Sequence, residues 1–444
     1  MIIPKPNSEI LSLDSKFQLK FILFTVIMIS SLLYYSEIFA IDEIEGTLND
    51  NNDNNNKMLA SDFVFSNVTN ITNNTKDSVY AQIVANDNDV YVVWQESVTE
   101  NSYGNNYDIY FKKSVDNGTT FSKPINLSNN TGFSEHPQIA VSENGIFIIW
   151  ADNTDSNNTE IMFTKSVDNG TAFSKPINLS NNLQNSNNQE ISAFNENVYI
   201  VWQNIGQNNN KNSSIMFKGS IDSGNTFNDT IELATNTNDA YPKVNSYEDY
   251  VYIVWNSENN KLSQDNNNNG LFFIKSSDKG NNFENIIRIA RYNFGESQIA
   301  VNGNEVFIVW GGLHEKNIND IYFAKSDDNG TSFTDPYTIQ EKVTKPESKV
   351  PSNKINHPTN VEITNNDPAY IVWQDRISKE NQDISITNIK NDFQSTEILN
   401  LSNNTGISEC PQIAVSKNYI YVVWEDITPG NHEIFFTKGQ YINK

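Results

Sequence analysis

Aligned on its seven tryptophans, the 444-residue sequence stacks side chains capable of chemistry into columns. One column reads Tyr80, His136, Asn188, Tyr241, Glu296, His357 and Cys410, with Glu135 and Glu409 beside it in "SEHPQIAVS" and "SECPQIAVS". Two imidazoles, a thiol, a carboxylate and two phenols around one axis could bind a transition metal or work as acid and base. The same residues also suit a plain polar rim at a channel entrance. A second column is acidic: Glu96 with Asp108, Asp152 with Glu160, Asp375 with Asp383, and Asp426 with Glu433. Oxygen clusters favour a hard cation such as Ca2+, and paired carboxylates perform glycoside hydrolysis. Asp375 and Asp383, with Arg376 adjacent, are the catalytic candidates. Because the pairs recur from repeat to repeat, they also read as loop-edge residues that hydrogen-bond turn amides.

These columns need elements to hold them. Every tryptophan ends a β-branched and aromatic run, from "VYVVW" at Trp94 to "YVVW" at Trp424, at spacings of 56, 52, 53, 55, 63 and 51 residues. Within a unit four pieces recur, shown best by "PQIAVS", "GIFIIWAD", "EIMFTKS" and "FSKPINLS". Their composition and their Asn, Gly, Asp and Ser boundaries are those of short strands. The second and third pieces are apolar almost throughout, which requires both faces to be covered. Seven units of four such strands predict an all-β fold, a seven-bladed β-propeller of antiparallel blades. The last unit stops after its third strand, and "FSNVTNITNNT" at 65–75 matches the missing fourth in spacing and type. An N-terminal strand should therefore complete the last blade and close the ring. The first column then falls at the channel mouth, just before each innermost strand.

Residues 114–130 and 166–182, "SVDNGTTFSKPINLSNN" and "SVDNGTAFSKPINLSNN", differ at one position. Both contain S-x-D-x-G-x-x-F, which recurs between the third and fourth strands at Ser114–Phe121, Ser166–Phe173, Ser220–Phe227, Ser276–Phe283 and Ser326–Phe333. Asp116, Asp168, Asp222, Asp278 and Asp328 can each accept N–H bonds across the turn, Gly supplies a positive φ, and Phe folds back as a core plug. This motif resembles the Asp-box, or BNR repeat, of the sialidase superfamily. The resemblance implies that the boxes are structural and lie on the face opposite the binding face. It also implies a substrate carboxylate gripped by three arginines from separate blades. Here the three arginines are Arg288, Arg291 and Arg376, two of them in one strand-four region, so no triad can be assembled and sialidase activity is not expected.

A formal net charge of −24 opposes nucleic-acid binding. Lys16 and Lys20 precede an apolar run from Phe21 to Tyr35, and "SEIFA" exits at Ala40: an export signal, or alternatively a short membrane anchor. Residues 41–62 read as a disordered acidic, Asn-rich leader and 63–444 as the propeller. Cys410 is the single cysteine, so no intrachain disulfide can form. Lys342, Lys345, Lys349 and Lys354 lie in a long crossing between blades five and six that could be a lid, a docking site or a solvated loop. The expectation is a secreted or cell-surface binding module for glycan or a surface protein, touching membrane only through an uncleaved N-terminal segment. A glycosidase-type hydrolase or lyase using a carboxylate pair is the alternative, and a purely structural surface component a third.

Overall fold

The computed structural model describes residues 63–441 apart from 99–105, 155–157, 207–212, 236, 238–239, 258–269, 292–296, 315–317, 339–358, 365–368, 378–380, 390–397 and 417. The expected signal and leader, Glu296, His357 and the lysine-bearing crossing lie outside the described residues. What remains is seven antiparallel sheets. Blade one comprises Ser78–Asn86, Asp89–Ser97, Tyr107–Ser114 and Ile125–Asn126, from innermost to outermost, and the other blades repeat that order. Each innermost strand contacts those of both neighbours, and blade seven's meets blade one's, so the ring is closed.

Closure is made by the N-terminus. Phe63–Phe65 and Thr69–Asn70 both pair antiparallel with Glu433–Tyr441, the third strand of blade seven. The sequence reading of 65–75 as the missing strand holds. The outermost strands are shorter than the motif "FSKPINLS" suggested. In blades one and two only Ile125–Asn126 and Ile177–Asn178 ladder, because Pro124 and Pro176 bring no N–H to the pairing.

The apolar second strands explain the architecture. In blade one Val90, Val92 and Trp94 pack against Tyr421, Val423 and Phe436 of blade seven. Tyr91 and Val93, pointing the other way, join Ile146, Ile148 and Trp150 of blade two. The same alternation produces a hydrophobic cluster at each junction between neighbouring blades. Successive strand residues face opposite sides, so a continuous apolar run feeds two cores at once, and the tryptophan always faces the preceding blade.

The repeated box clamps the same junctions. Asp222 Oδ1 accepts from Ser220 Oγ (2.8 Å), Asn225 N (3.1 Å) and Thr226 N (2.9 Å), while Oδ2 accepts from Thr226 Oγ1 (2.7 Å). Asp116 and Asp328 make the same set. Gly224 sits at φ 67°, and a Cβ there would stand 2.6 Å from the ring of Phe163 in the preceding blade. Glycine is thus required twice, by conformation and by space. The box Phe is half-buried rather than a plug within its own blade: Phe227 meets Phe163 edge-on, and Phe121 likewise meets Phe436 across the closing seam. A third-strand lysine completes the clasp, as Lys438 Nζ donates to Asn117 O (2.9 Å) and Thr119 Oγ1 (2.8 Å).

Two outcomes follow. Truncating Phe436, which is 3 % exposed, removes the contact shared by the blade-one box and the closing core. Phe436→Ala should lower unfolding free energy by roughly 3–5 kcal/mol in urea denaturation. The Thr226 hydroxyl and N–H hold the Asp222 carboxyl down at about 2, against an ordinary 3.8. A depressed folded pKa gives stability that is present above the unfolded value and lost as pH falls through the folded one. Denaturation midpoints should therefore fall between about pH 4 and pH 2, with a shallower acid limb in Asp222→Asn.

Candidate functional site

The channel-mouth column is built by a bulge. In blade one Val79 pairs with Gln95 and Gln82 with Val93, leaving Tyr80 and Ala81 opposite Trp94 alone. Blades two, three and seven repeat this at His136, Asn188 and Cys410. All four bulge residues take positive φ, 53°, 52°, 54° and 53°, so the side chains are re-aimed at the rim. These four members of the column therefore lie inside the innermost strands rather than just before them, whereas Tyr241 does precede its strand, Lys243–Tyr247. In blade six pairing of Thr359 with Gln374 and of Glu362 with Val372 puts Asn360 in this position. Sequence alignment selects His357, sixteen residues before Trp373 where His136 stands fourteen before Trp150; His357 lies outside the described residues, and strand pairing sets the bulge.

In blades one, two and seven the freed bulge amide is capped from the preceding blade by the residue after a tryptophan. Gln95 Oε1 accepts from His136 N (2.7 Å), Glu425 Oε1 from Tyr80 N (2.7 Å) and Gln374 Oε1 from Cys410 N (3.5 Å). Gln189 Nε2 donates to His136 O, and Asn188 Nδ2 to Ala240 O (3.0 Å) beside Tyr241. A hydrogen-bonded chain thus runs round the mouth from blade six through seven and one to four. Tyr80 and Tyr241 are exposed, and the Tyr80 and His136 rings meet edge-on with centroids 4.5 Å apart. His136 opens to solvent inside this concave mouth, and the protein crowded around it holds its imidazole below the ordinary value. Burial raises the carboxyl of neighbouring Glu135.

The acidic column is committed elsewhere. Its members are direct cross-strand partners, Glu96 with Asp108, Asp152 with Glu160, Asp375 with Asp383 and Asp426 with Glu433. Asp152 Oδ2 accepts from Trp150 Nε1 (3.0 Å), Ser134 Oγ (2.8 Å) and Asn130 Nδ2 (2.8 Å), and Oδ1 from Thr154 N (2.8 Å). Asp426 repeats this. Asp108 and Asp383 are held by Asn126 with Ser128 and by Asn400 with Ser402. The "INLSNN" half of the repeated stretch is the partner of these carboxylates. Asp383 is thus buried and hydrogen-bonded, and Asp375 and Arg376 end the strand opposite it. Arg288 is on the outermost strand of blade four and Arg376 on the second strand of blade six.

Blade seven adds a second acidic pair to that of Asp426 with Glu433. Glu409 and Glu425 are cross-strand partners; Glu425 is buried, and His432 Nδ1 lies 3.7 Å from its Oε2. One ligand atom from each of Glu409, Glu425 and His432 falls within 4.8 Å of the others. The Glu425 carboxylate raises the imidazole of His432, while burial and then Glu425 raise Glu409. Glu409 was visible in the sequence beside Cys410, whereas Glu425 and His432 were not singled out. The signal for Glu425 was the position after each tryptophan, acidic in this blade only.

No protein-family model matches the sequence, and no curated protein does. Solved structures similar to it include a Trypanosoma rangeli sialidase mutant displaying trans-sialidase activity, 12% identical with a TM-score of 0.46, covering 82% of this chain and 54% of that one. The chain thus spans about half the length of that enzyme. A Dyadobacter fermentans protein of unknown function is 12% identical with a TM-score of 0.47, covering 84% and 99%. The NanB sialidase of Streptococcus pneumoniae is 10% identical with a TM-score of 0.47, covering 85% and 71%.

The bulge makes its own prediction. At φ near 52° a β-branched residue is strained by about 1–3 kcal/mol, whereas glycine is not. His136→Val should destabilise the protein by about that amount in urea denaturation, and His136→Gly should stay close to wild type.

Proposed function

We propose that the chain is an exported, sialidase-like propeller that binds glycan at its channel mouth, outside the cytoplasm. One observation carries the reading: aromatic and polar side chains are presented side by side at the mouth, with exposed Tyr80, together with His136 and Asn188, on positive-φ bulges and exposed Tyr241 just before the next innermost strand. An aromatic face stacks on the apolar face of a sugar ring, while amide and imidazole groups satisfy its hydroxyls. The strand-held backbone keeps such a site preorganised. The sialidases among the similar structures are carbohydrate enzymes, and a glycan ligand is in keeping with them. The arginines support no sialidase triad, and in the acidic pairs Glu96, Asp108, Asp152, Glu160, Asp383, Asp426 and Glu433 are engaged in holding tryptophans, strand ends and turns. Binding without turnover is therefore the reading adopted.

The test is a glycan array probed with the purified full chain, with and without Ca2+, reading retained protein and altered sugars together. Retention without alteration is expected, and Tyr80→Ala or Tyr241→Ala should weaken it about tenfold, about 1.4 kcal/mol. Loss of a terminal sugar would make the protein an enzyme and direct mutagenesis to Asp375, Asp383 and Arg376. A blank array would replace glycan by a protein ligand.

A further inference from the structure

We propose that Glu409, Glu425 and His432 form a site for a divalent transition-metal ion of the zinc class, in the seam between blades seven and one. Glu425 carries a charge that the fold does not need. Glu425 caps the Tyr80 amide, but Gln95 and Gln374 cap the equivalent amides of His136 and Cys410 with neutral carboxamides. After the other six tryptophans stand Gln95, Ala151, Gln203, Asn256, Gly311 and Gln374. The capping duty therefore leaves the negative charge of Glu425 unexplained.

Two further residues meet that charge. Glu409 pairs directly with Glu425 across the sheet. In blade two Glu135 occupies the same strand position but pairs with Ala151, so no second carboxylate faces it. On the other side Glu425 pairs with Ile434, and His432, two residues earlier, takes the diagonal position on that face. Its counterparts in blades one, two and three are Tyr107, Thr159 and Ser213, which precede Ile109, Ile161 and Ile215 by the same two residues. Blade seven thus brings three ligand-type residues together, and nowhere else among the described residues does such a group assemble.

The local field favours a cation. Asp77, buried in blade one, accepts from His432 N (3.0 Å). Three carboxylates, Asp77, Glu409 and Glu425, then surround one imidazole. Two carboxylates and a nitrogen ligand suit zinc-class ions, while calcium prefers an all-oxygen shell of six or more ligands. Ligand atoms around one such ion stand roughly 3–4 Å apart at bond lengths near 2.0–2.2 Å. A small torsional adjustment of the half-buried Glu409 closes the present spacing. Tyr80 adjoins the site through the Glu425 cap, so a fourth coordination position would lie beside the channel mouth. The site rests on blade seven's geometry and holds whether or not glycan is the ligand.

Equilibrium dialysis of the tag-free full chain against Zn2+, Mn2+ and Ca2+, each alone, with atomic emission readout, tests this directly. One equivalent of Zn2+ or Mn2+ per chain is expected, with affinity falling at least tenfold in both Glu425→Gln and His432→Gln. Glu425→Gln keeps an amide oxygen for the Tyr80 N–H, so its circular dichroism should match wild type. Zn2+ should raise the melting temperature of wild type but not of that variant. No retained metal, equal retention by Glu425→Gln, or a preference for Ca2+ would overturn the assignment.

Discussion

Everything in this molecule depends on the second strand of each blade having no solvent face. A run such as Val90–Trp94 sends alternate side chains into two different junctions, so neither half of its burial exists until both neighbours are present. A lone blade would expose an apolar surface on each side, and such a sheet is stable only when covered. The cost of ordering each short strand is met by burial shared between neighbours. The closing pair Phe63–Phe65 and Thr69–Asn70 is therefore structural in the strictest sense: without it blade seven lacks its outer edge and the ring has an open seam.

That rigidity is what gives the channel mouth its chemistry. A bulge in an isolated hairpin would slip, but here the amide freed at Tyr80, His136 or Cys410 is caught by a side chain of the adjoining blade. Side chains in an unfavourable backbone region are thereby held at fixed positions around one axis. The acidic column shows the opposite use of polar groups. Its carboxylates look catalytic in one dimension, yet they accept from tryptophan indoles, serines and asparagines and serve to stitch strand ends to turns.

Much of this was legible in the sequence. Tryptophan periodicity gave seven blades, two-sided apolar runs gave the sandwiching, and the orphan 65–75 segment gave closure. What could not be read was register. Two residues facing one leave no mark in a hydrophobic pattern, so the column was expected ahead of the strand, and His357 was aligned by its His-Pro dipeptide where pairing chooses Asn360. Hydrogen-bond partners some twenty residues apart, as Asp108 and Asn126 illustrate for the whole acidic column, were equally hidden. The Glu409, Glu425 and His432 group needs two strand pairings to assemble, and only the odd acid after Trp424 hinted at it.

The clasp at each junction has a direction. Third-strand Phe and Lys of one unit receive the Gly and Phe of the next unit's box, so every unit carries a head and a tail that fit each other. This is the logic of a heterologous interface, which builds an open filament unless its rotation closes. In a single chain it means that any duplicated unit arrives already matched to its neighbours on both sides. The near-identity of 114–130 and 166–182 then preserves one half of a head-to-tail joint, and the count of seven is set by the rotation that this joint imposes from unit to unit.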